Sequence, residues 1–198
     1  CGHCGVCLGE ELALEATGDA ESWLQSRPVV VPGFRNTLEE GRALYDSGQK
    51  SPDFRNFMRQ RREGPPSSET LDALKALAGQ IGPDHILVPL PSSTWAGRSA
   101  TISALGMPVW DGLAWQDPPE ARQGTLLNND QRTANVDKRM MVVGNPPEGG
   151  ILLLDDYTGS GATLREAARA LKVAGHTGAK VPITLARVRW SLGRPGIV

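Results

Sequence analysis

Cysteine is nearly absent from this chain of 198 residues: there are three, all among the first seven, so nothing later in the sequence can pair with them in a disulfide framework. Aromatic residues make up only 5%, and charge of either sign is in no excess, with 21 Lys and Arg against 22 Asp and Glu for a net charge of −1. Such a balance provides no overall field to attract nucleic acid and confines any contact of that kind to a local basic patch. No apolar run approaches the roughly 20 residues of a membrane span. No signal peptide is visible, and a first residue of Cys rather than Met leads us to expect a fragment whose upstream part is missing. Glycine and proline, by contrast, are plentiful: 23 and 15 of 198 residues, about a fifth, against a usual combined share of roughly 12%. Long connections between short elements are expected, within one main domain large enough for a substantial core.

The most informative stretch is residues 151–163, Ile-Leu-Leu-Leu-Asp-Asp-Tyr-Thr-Gly-Ser-Gly-Ala-Thr. Four consecutive aliphatic residues fit a strand buried on both faces, as in a parallel sheet with helices above and below. Leu164, Ala167, Ala168, Leu171 and Ala174 then recur at helical spacing, so a helix begins where the glycines stop, with Gly175 and Gly178 beyond its end. A helix N-terminus preceded by Gly159 and Gly161 directs unpaired N–H groups and partial positive charge outward, which suits a phosphate. Ser160 and Thr163 add hydroxyls. Asp155 and Asp156 would repel a phosphate unless they held hydroxyls or a divalent cation, and a phosphorylated sugar offers both kinds of group.

This stretch resembles the phosphoribosyl diphosphate (PRPP) signature of type I phosphoribosyltransferases, an apolar run, two acidic residues, a short spacer, then Thr or Ser, Gly, any residue, Thr; Asp155, Asp156, Ser160, Gly161 and Thr163 match it. The resemblance implies that Asp155 and Asp156 hold the ribose diol while Thr158, Gly159, Ser160, Gly161, Ala162 and Thr163 wrap the 5′-phosphate, with Mg²⁺ accompanying PRPP if the site is active. In that family the loop after an earlier strand contacts pyrophosphate. The corresponding residues 91–97, including Ser92, Ser93 and Thr94, contain no Lys or Arg, and Arg98 is the nearest cation. Further on, Gln131-Arg132-Thr133-Ala134-Asn135-Val136 resembles the Arg-x-x-Asn-Val segment of ComF-type relatives. That likeness implies that Gln131, Arg132 and Asn135 approach the cleft, with Arg132 grouped with the two aspartates as a candidate catalytic residue; a structural ion pair is the other role open to Arg132.

The first residues, Cys-Gly-His-Cys-Gly-Val-Cys-Leu-Gly, carry two successive C-x-x-C steps, whose natural use is metal ligation. Cys1, Cys4 and Cys7 leave a tetrahedral zinc site one ligand short, to be completed by His3 or by an upstream cysteine. His3 would have to bend back sharply between two ligands, which favours the upstream residue. The same nine residues resemble the end of the zinc-binding segment of RecQ-family DNA helicases, although Gly5 stands where that family usually has an acidic residue. No helicase ATP-binding motif occurs in the chain. Some RecQ-like helicases carry a phosphoribosyltransferase-like domain directly after the zinc segment, so the two resemblances together imply the C-terminal part of such a helicase. They imply as partners a helicase core, DNA and a phosphoribosyl or nucleotide ligand, in a bacterial-type cytoplasm and at the nucleoid when acting on DNA.

Between these landmarks, residues 10–26 read as an acidic, Ala-rich linker or short helix, and residues 29–31, flanked by prolines, as a brief edge strand. Residues 37–45 show helical spacing through Leu38, Ala43 and Leu44. Residues 54–62 form a basic amphipathic piece: Phe54, Phe57 and Met58 on one face, Arg55, Arg59, Arg61 and Arg62 on the others. Those arginines are either a solvated face or a grip on backbone phosphate. Ser68 and Glu69 open a helix carrying Leu71, Leu74 and Leu77, residues 86–90 read as a buried strand, and residues 96–105 as a helix stopped by Gly106 and Pro108. Residues 110–124 read as a long flap or a hydrophobic lid, and residues 140–143 and 181–188 as further strands.

These readings give an α/β fold, a mainly parallel twisted sheet flanked by helices, with a small N-terminal zinc-binding tail. The expected divisions are residues 1–9 for the zinc segment, 10–80 for linker and hood or connector, and 81–198 for the phosphoribosyltransferase-like domain. Three functions follow: a regulatory pocket for a phosphoribosyl or nucleotide ligand, an active PRPP-dependent transferase, or a DNA-binding accessory domain that also uses Arg187 and Arg189. The zinc reading carries its own test. Metal analysis of this chain should find zinc held incompletely, because a closed structural site needs four ligands; one tightly bound zinc per chain that survives His3→Ala, with no water or partner chain completing the shell, would contradict it.

Overall fold

The computed structural model describes residues 28–34, 37–49, 51–119 and 129–189. Cys1, Cys4, Cys7 and the linker after them lie outside the described residues, as does the last third of the 110–124 loop.

The organising element is strand β6, Ile151–Thr158. Its first four residues are fully buried because they feed two separate cores. Leu152 and Leu154 join one core with Phe54, Phe57, Leu74 and Leu77, while Ile151 and Leu153 join the other with Leu164, Ala167, Ala168 and Leu171. Alternation of side chains along a strand produces this split, and burial of each leucine contributes about 1.5–3 kcal/mol. The other strands are β1 Val29–Val31, β2 Gly41–Gly48, β3 Ile86–Pro89, β4 Leu113–Trp115, β5 Met140–Val142 and β7 Lys180–Arg189. The main sheet runs β1-β2-β7-β6-β3. Its β2–β7, β7–β6 and β6–β3 pairs are parallel and only β1 is antiparallel. It is the mainly parallel α/β sheet expected from the sequence.

Helices α1, Pro52–Glu63, and α2, Ser68–Ile81, cover the first face. Both start on serine caps, Ser51 Oγ accepting from Phe54 N at 3.2 Å and Ser67 Oγ from Thr70 N at 3.3 Å, which satisfies amides a helix start otherwise leaves open. Helix α3, Arg98–Leu105, ends at Gly106 in the left-handed region (φ 62°). Helix α4, Asn129–Ala134, is short, and α5, Ala162–Val173, covers the second face. The buried Glu166 of α5 accepts from Met140 N at 2.9 Å and holds Arg169, pinning β5 to the helix.

Three expectations change. Residues 37–45 are not helical: β2 begins at Gly41 and runs between β1 and β7, sheet pairing overriding a short helical spacing. Two strands of the main sheet therefore come from the 10–80 stretch read as linker and connector. The described part of the 110–124 loop contains β4, which pairs antiparallel with β5 in a two-stranded ribbon outside the main sheet. Among the described residues no helix is long and apolar enough to cross a membrane.

The β2–β7 contact is close enough to exclude any side chain at Gly41, where an added Cβ would lie 1.9 Å from Pro182 O. Gly41→Ala is expected to destabilise the protein by about 3 kcal/mol, in the range of overpacked core sites, as measured by urea unfolding. A loss below about 0.5 kcal/mol, the range of neutral surface substitutions, would contradict this packing.

Candidate functional site

The carboxyl ends of β3 and β6 and the start of α5 bring the predicted site residues together. Strand β6 continues through Asp155, Asp156 and Tyr157 to Thr158, pairing with β7 as far as Arg187. The chain then turns through Gly159 and Ser160 to Gly161, whose φ of 73° lies in the left-handed region, where any other residue would be strained. Gly161 caps α5 with no side-chain hydrogen bond. The first amides of the helix thus point at the turn, where, among the described residues, Ala162 N reaches only Ser160 Oγ, at 3.4 Å. Ala162 is buried beneath it and Thr163 is half-buried on the first turn.

A cavity of about 100 Å³ opens at this turn, lined by residues 158–161, Leu164, Arg165 and Arg187, and opposite them by Val31, Pro32, Gly33, Phe34 and Leu38. Arg165 is the cation that the sequence reading passed over. It donates to Ser160 O at 2.7 Å and to Thr133 Oγ1 at 3.5 Å, and its guanidinium lies 5.4 Å from the centre of the Phe34 ring. Among the described residues it meets no carboxylate. Burial lowers its pKa. Its place four residues after Gly161, on the first turn of an amphipathic helix, was visible in the sequence.

The two aspartates have different surroundings. Asp156 is 3% exposed and Arg61 of α1 is 7% exposed. Arg61 donates Nε to Asp156 Oδ2 at 2.5 Å, with Nη2 also on that oxygen, and donates Nη2 to Thr94 Oγ1 at 3.0 Å. The same guanidinium lies 5.4 Å from the centre of the Tyr157 ring, which packs edge-on against Phe54 and Phe57. The sequence groups Arg61 with Arg55, Arg59 and Arg62 as either a solvated face or a grip on backbone phosphate. The structure instead turns it inward, because its place on α1 faces β6. Arg59 and Arg62 are exposed and Arg55 is half-buried. Asp155 is half-buried, its Oδ1 accepting Asp156 N at 2.9 Å. Burial and then the neighbouring Asp156 push its pKa well above the usual carboxylate range. Burial raises that of Asp156 as well, against the opposing pull of Arg61, and raises that of the Tyr157 hydroxyl.

The other predicted residues fall into place around this pair. Arg132, buried on α4, lies near enough to Tyr157 for their charges to interact, and burial lowers its pKa. Ser92 is half-buried, with Oγ accepting Thr94 N at 3.4 Å, and Ser93 is exposed. Arg98 does not reach the 91–97 loop as a free cation: it donates to Leu90 O, Pro89 O and both oxygens of Asp111. Arg187 and Arg189 are both held by Asp46. No group of three or more metal-binding side chains occurs among the described residues.

Compared with protein-family models and with curated proteins, the chain matches none. Among solved structures it is similar to adenine phosphoribosyltransferase from Saccharomyces cerevisiae, complexed with an imino-altritol bisphosphate and adenine, at 12% identity and a TM-score of 0.39 over 90% of this chain and 89% of that one. The Leishmania tarentolae adenine phosphoribosyltransferase aligns at 12% identity and a TM-score of 0.37 over 63% and 72% of the two chains, and a further adenine phosphoribosyltransferase at 13% and 0.37 over 85% and 89%. The fold assignment rests on the chain's own sheet order and pairing.

The raised Asp155 pKa has a definite sign in stability. Folded Asp155 keeps its proton at pH values where the unfolded carboxyl, near 3.9, has released it, so its contribution is complete below about pH 4 and is lost as pH rises through the folded value. Asp155→Asn should therefore match the parent in stability below about pH 4 and exceed it increasingly toward neutrality. Urea unfolding across that range checks this, and a parent that gains on the variant with rising pH would contradict it.

Proposed function

We propose that this chain is a type I phosphoribosyltransferase-like domain that captures a phosphorylated ribose or nucleotide. Phosphate would sit on the turn of Thr158, Gly159, Ser160 and Gly161, with Ala162 and Thr163 of the first helical turn, and the sugar would lie toward Asp155. The observation that carries the reading is the left-handed Gly161, which opens α5 with uncapped amides into a cavity beside Arg165. Helix amides and a cation without a carboxylate partner together suit a phosphate dianion. From Asp155 to Thr158 is about 10 Å of extended chain, a span that a phosphorylated pentose can bridge.

Binding fits this arrangement better than transfer does. A departing pyrophosphate needs fixed positive charge, and in residues 91–97 there is no Lys or Arg, while Arg61 and Arg98 beside that loop are held by Asp156 and Asp111. In this reading the role is accessory or regulatory, within a RecQ-like helicase whose zinc is held by Cys1, Cys4, Cys7 and a fourth, upstream ligand. Mg²⁺ would be required only where the ligand carries a diphosphate. The exposed Arg59 and Arg62 favour a second, weaker activity, salt-sensitive contact with DNA backbone along the outer face of α1.

Calorimetry with PRPP, ribose 5-phosphate and AMP, each with and without Mg²⁺, tests the reading. Ribose 5-phosphate or AMP should bind, PRPP should bind with Mg²⁺, and pyrophosphate should not be released in the presence of common nucleobases. Gly161→Val should abolish binding by straining the turn. A folded chain that binds none of these ligands would overturn the proposal, and rapid pyrophosphate release would establish the transferase instead.

A further inference from the structure

This inference rests on the phosphoribosyl reading above and concerns its pair of acidic residues. Both oxygens of Asp156 are occupied: Oδ2 takes Nε and Nη2 of Arg61, and Oδ1 accepts Tyr157 N at 2.8 Å. Arg61 is itself fixed from three sides, by Thr94 Oγ1, by the Tyr157 ring, and through its own carbonyl, which accepts Ala96 N at 2.9 Å. One side chain thus joins α1, the end of β6 and the loop after β3. Asp155 differs in each respect. It is half-buried, accepts a single backbone N–H, that of Asp156, lies close enough to the Asp156 carboxyl for the two side chains to interact, and forms no ion pair among the described residues.

We propose that Arg61 is a positioning residue that sets the specificity of this site: by holding Asp156 it leaves Asp155 as the one carboxylate that meets the ligand, so the site reads one sugar hydroxyl and not a diol. The planar fork of an arginine suits this role, since its separate N–H groups serve Asp156 and Thr94 together, whereas a lysine offers a single point charge. The pair is also neutral as a unit, which leaves one carboxylate, not two, to repel an incoming phosphate.

The test compares ribose 5-phosphate, 2-deoxyribose 5-phosphate, 3-deoxyribose 5-phosphate and inorganic phosphate on the 198-residue chain, by calorimetry and by carboxyl carbon NMR of the aspartates. One deoxy analogue should bind within about twofold of ribose 5-phosphate, and the other about tenfold more weakly, as for loss of one hydrogen bond to a charged group. Ribose 5-phosphate should move the Asp155 carboxyl resonance and leave that of Asp156 in place. In Arg61→Lys, which loosens Asp156, both deoxy analogues should fall below ribose 5-phosphate while phosphate affinity is unchanged. Equal losses for both analogues in the parent chain, or a ligand-induced shift at Asp156, would overturn the assignment even if the lysine variant failed to fold. If phosphate binds and neither deletion matters, this inference alone falls; if phosphate does not bind either, the phosphoribosyl reading falls with it.

Discussion

The burial of β6 on both faces is the constraint on which the rest of this structure depends. A strand of four aliphatic residues needs a helix layer on each side, and here α1 and α2 supply one while α5 supplies the other. At the end of the strand the apolar residues stop but the layers do not. The two carboxylates that follow are therefore carried into partly desolvated positions, where an unpaired charge is costly. Arg61 neutralises the deeper one. Since removing one partner of a buried pair leaves an uncompensated charge, Arg61 and Asp156 are bound to one another as features of the fold as much as of the site.

That arrangement accounts for how charge is distributed over the cleft. Arg61 is held by Asp156, Arg98 by Asp111, and Arg187 by Asp46, so most cations near the sheet edge already have carboxylate partners. Arg165 meets no carboxylate among the described residues and rests on a carbonyl, a hydroxyl and the Phe34 ring. A guanidinium with no carboxylate partner among the described residues therefore stands at the start of α5, where the proposed reading places one phosphate group. Residues 91–97 of the loop after β3, where a second and third phosphate group would need positive charge, contain no Lys or Arg. In the proposed reading, a pocket built this way would retain a phosphorylated sugar and provide little to a leaving diphosphate.

Much of this was legible in the residues themselves. The aliphatic run before Asp155, the glycines around Ser160 and the helical period from Leu164 are local signals, and each became the predicted element, the helix within a residue and the strand with four further residues, to Thr158. Val29–Val31 was recoverable from its flanking prolines. What could not be read was whatever depends on distant partners. Residues 37–45 have a helical spacing, but β2 forms there because β7 lies alongside it from Ile183 onward. Arg61 lies in a run of arginines that looks like a solvated surface, and only the docking of α1 on β6 distinguishes it from Arg59 and Arg62. The unequal fates of Asp155 and Asp156 have the same origin, since their sequence neighbours are shared and their spatial neighbours are not.

The central claim is that the α5 turn, not the outer basic face of α1, is the anion site. A crystal structure of the chain with ribose 5-phosphate tests it most directly. The account predicts phosphate on the amides at the Gly161 turn beside Arg165, with the sugar toward Asp155 and Arg61 still on Asp156. Phosphate bound instead at Arg59 and Arg62, with the Gly161 turn empty, would contradict it.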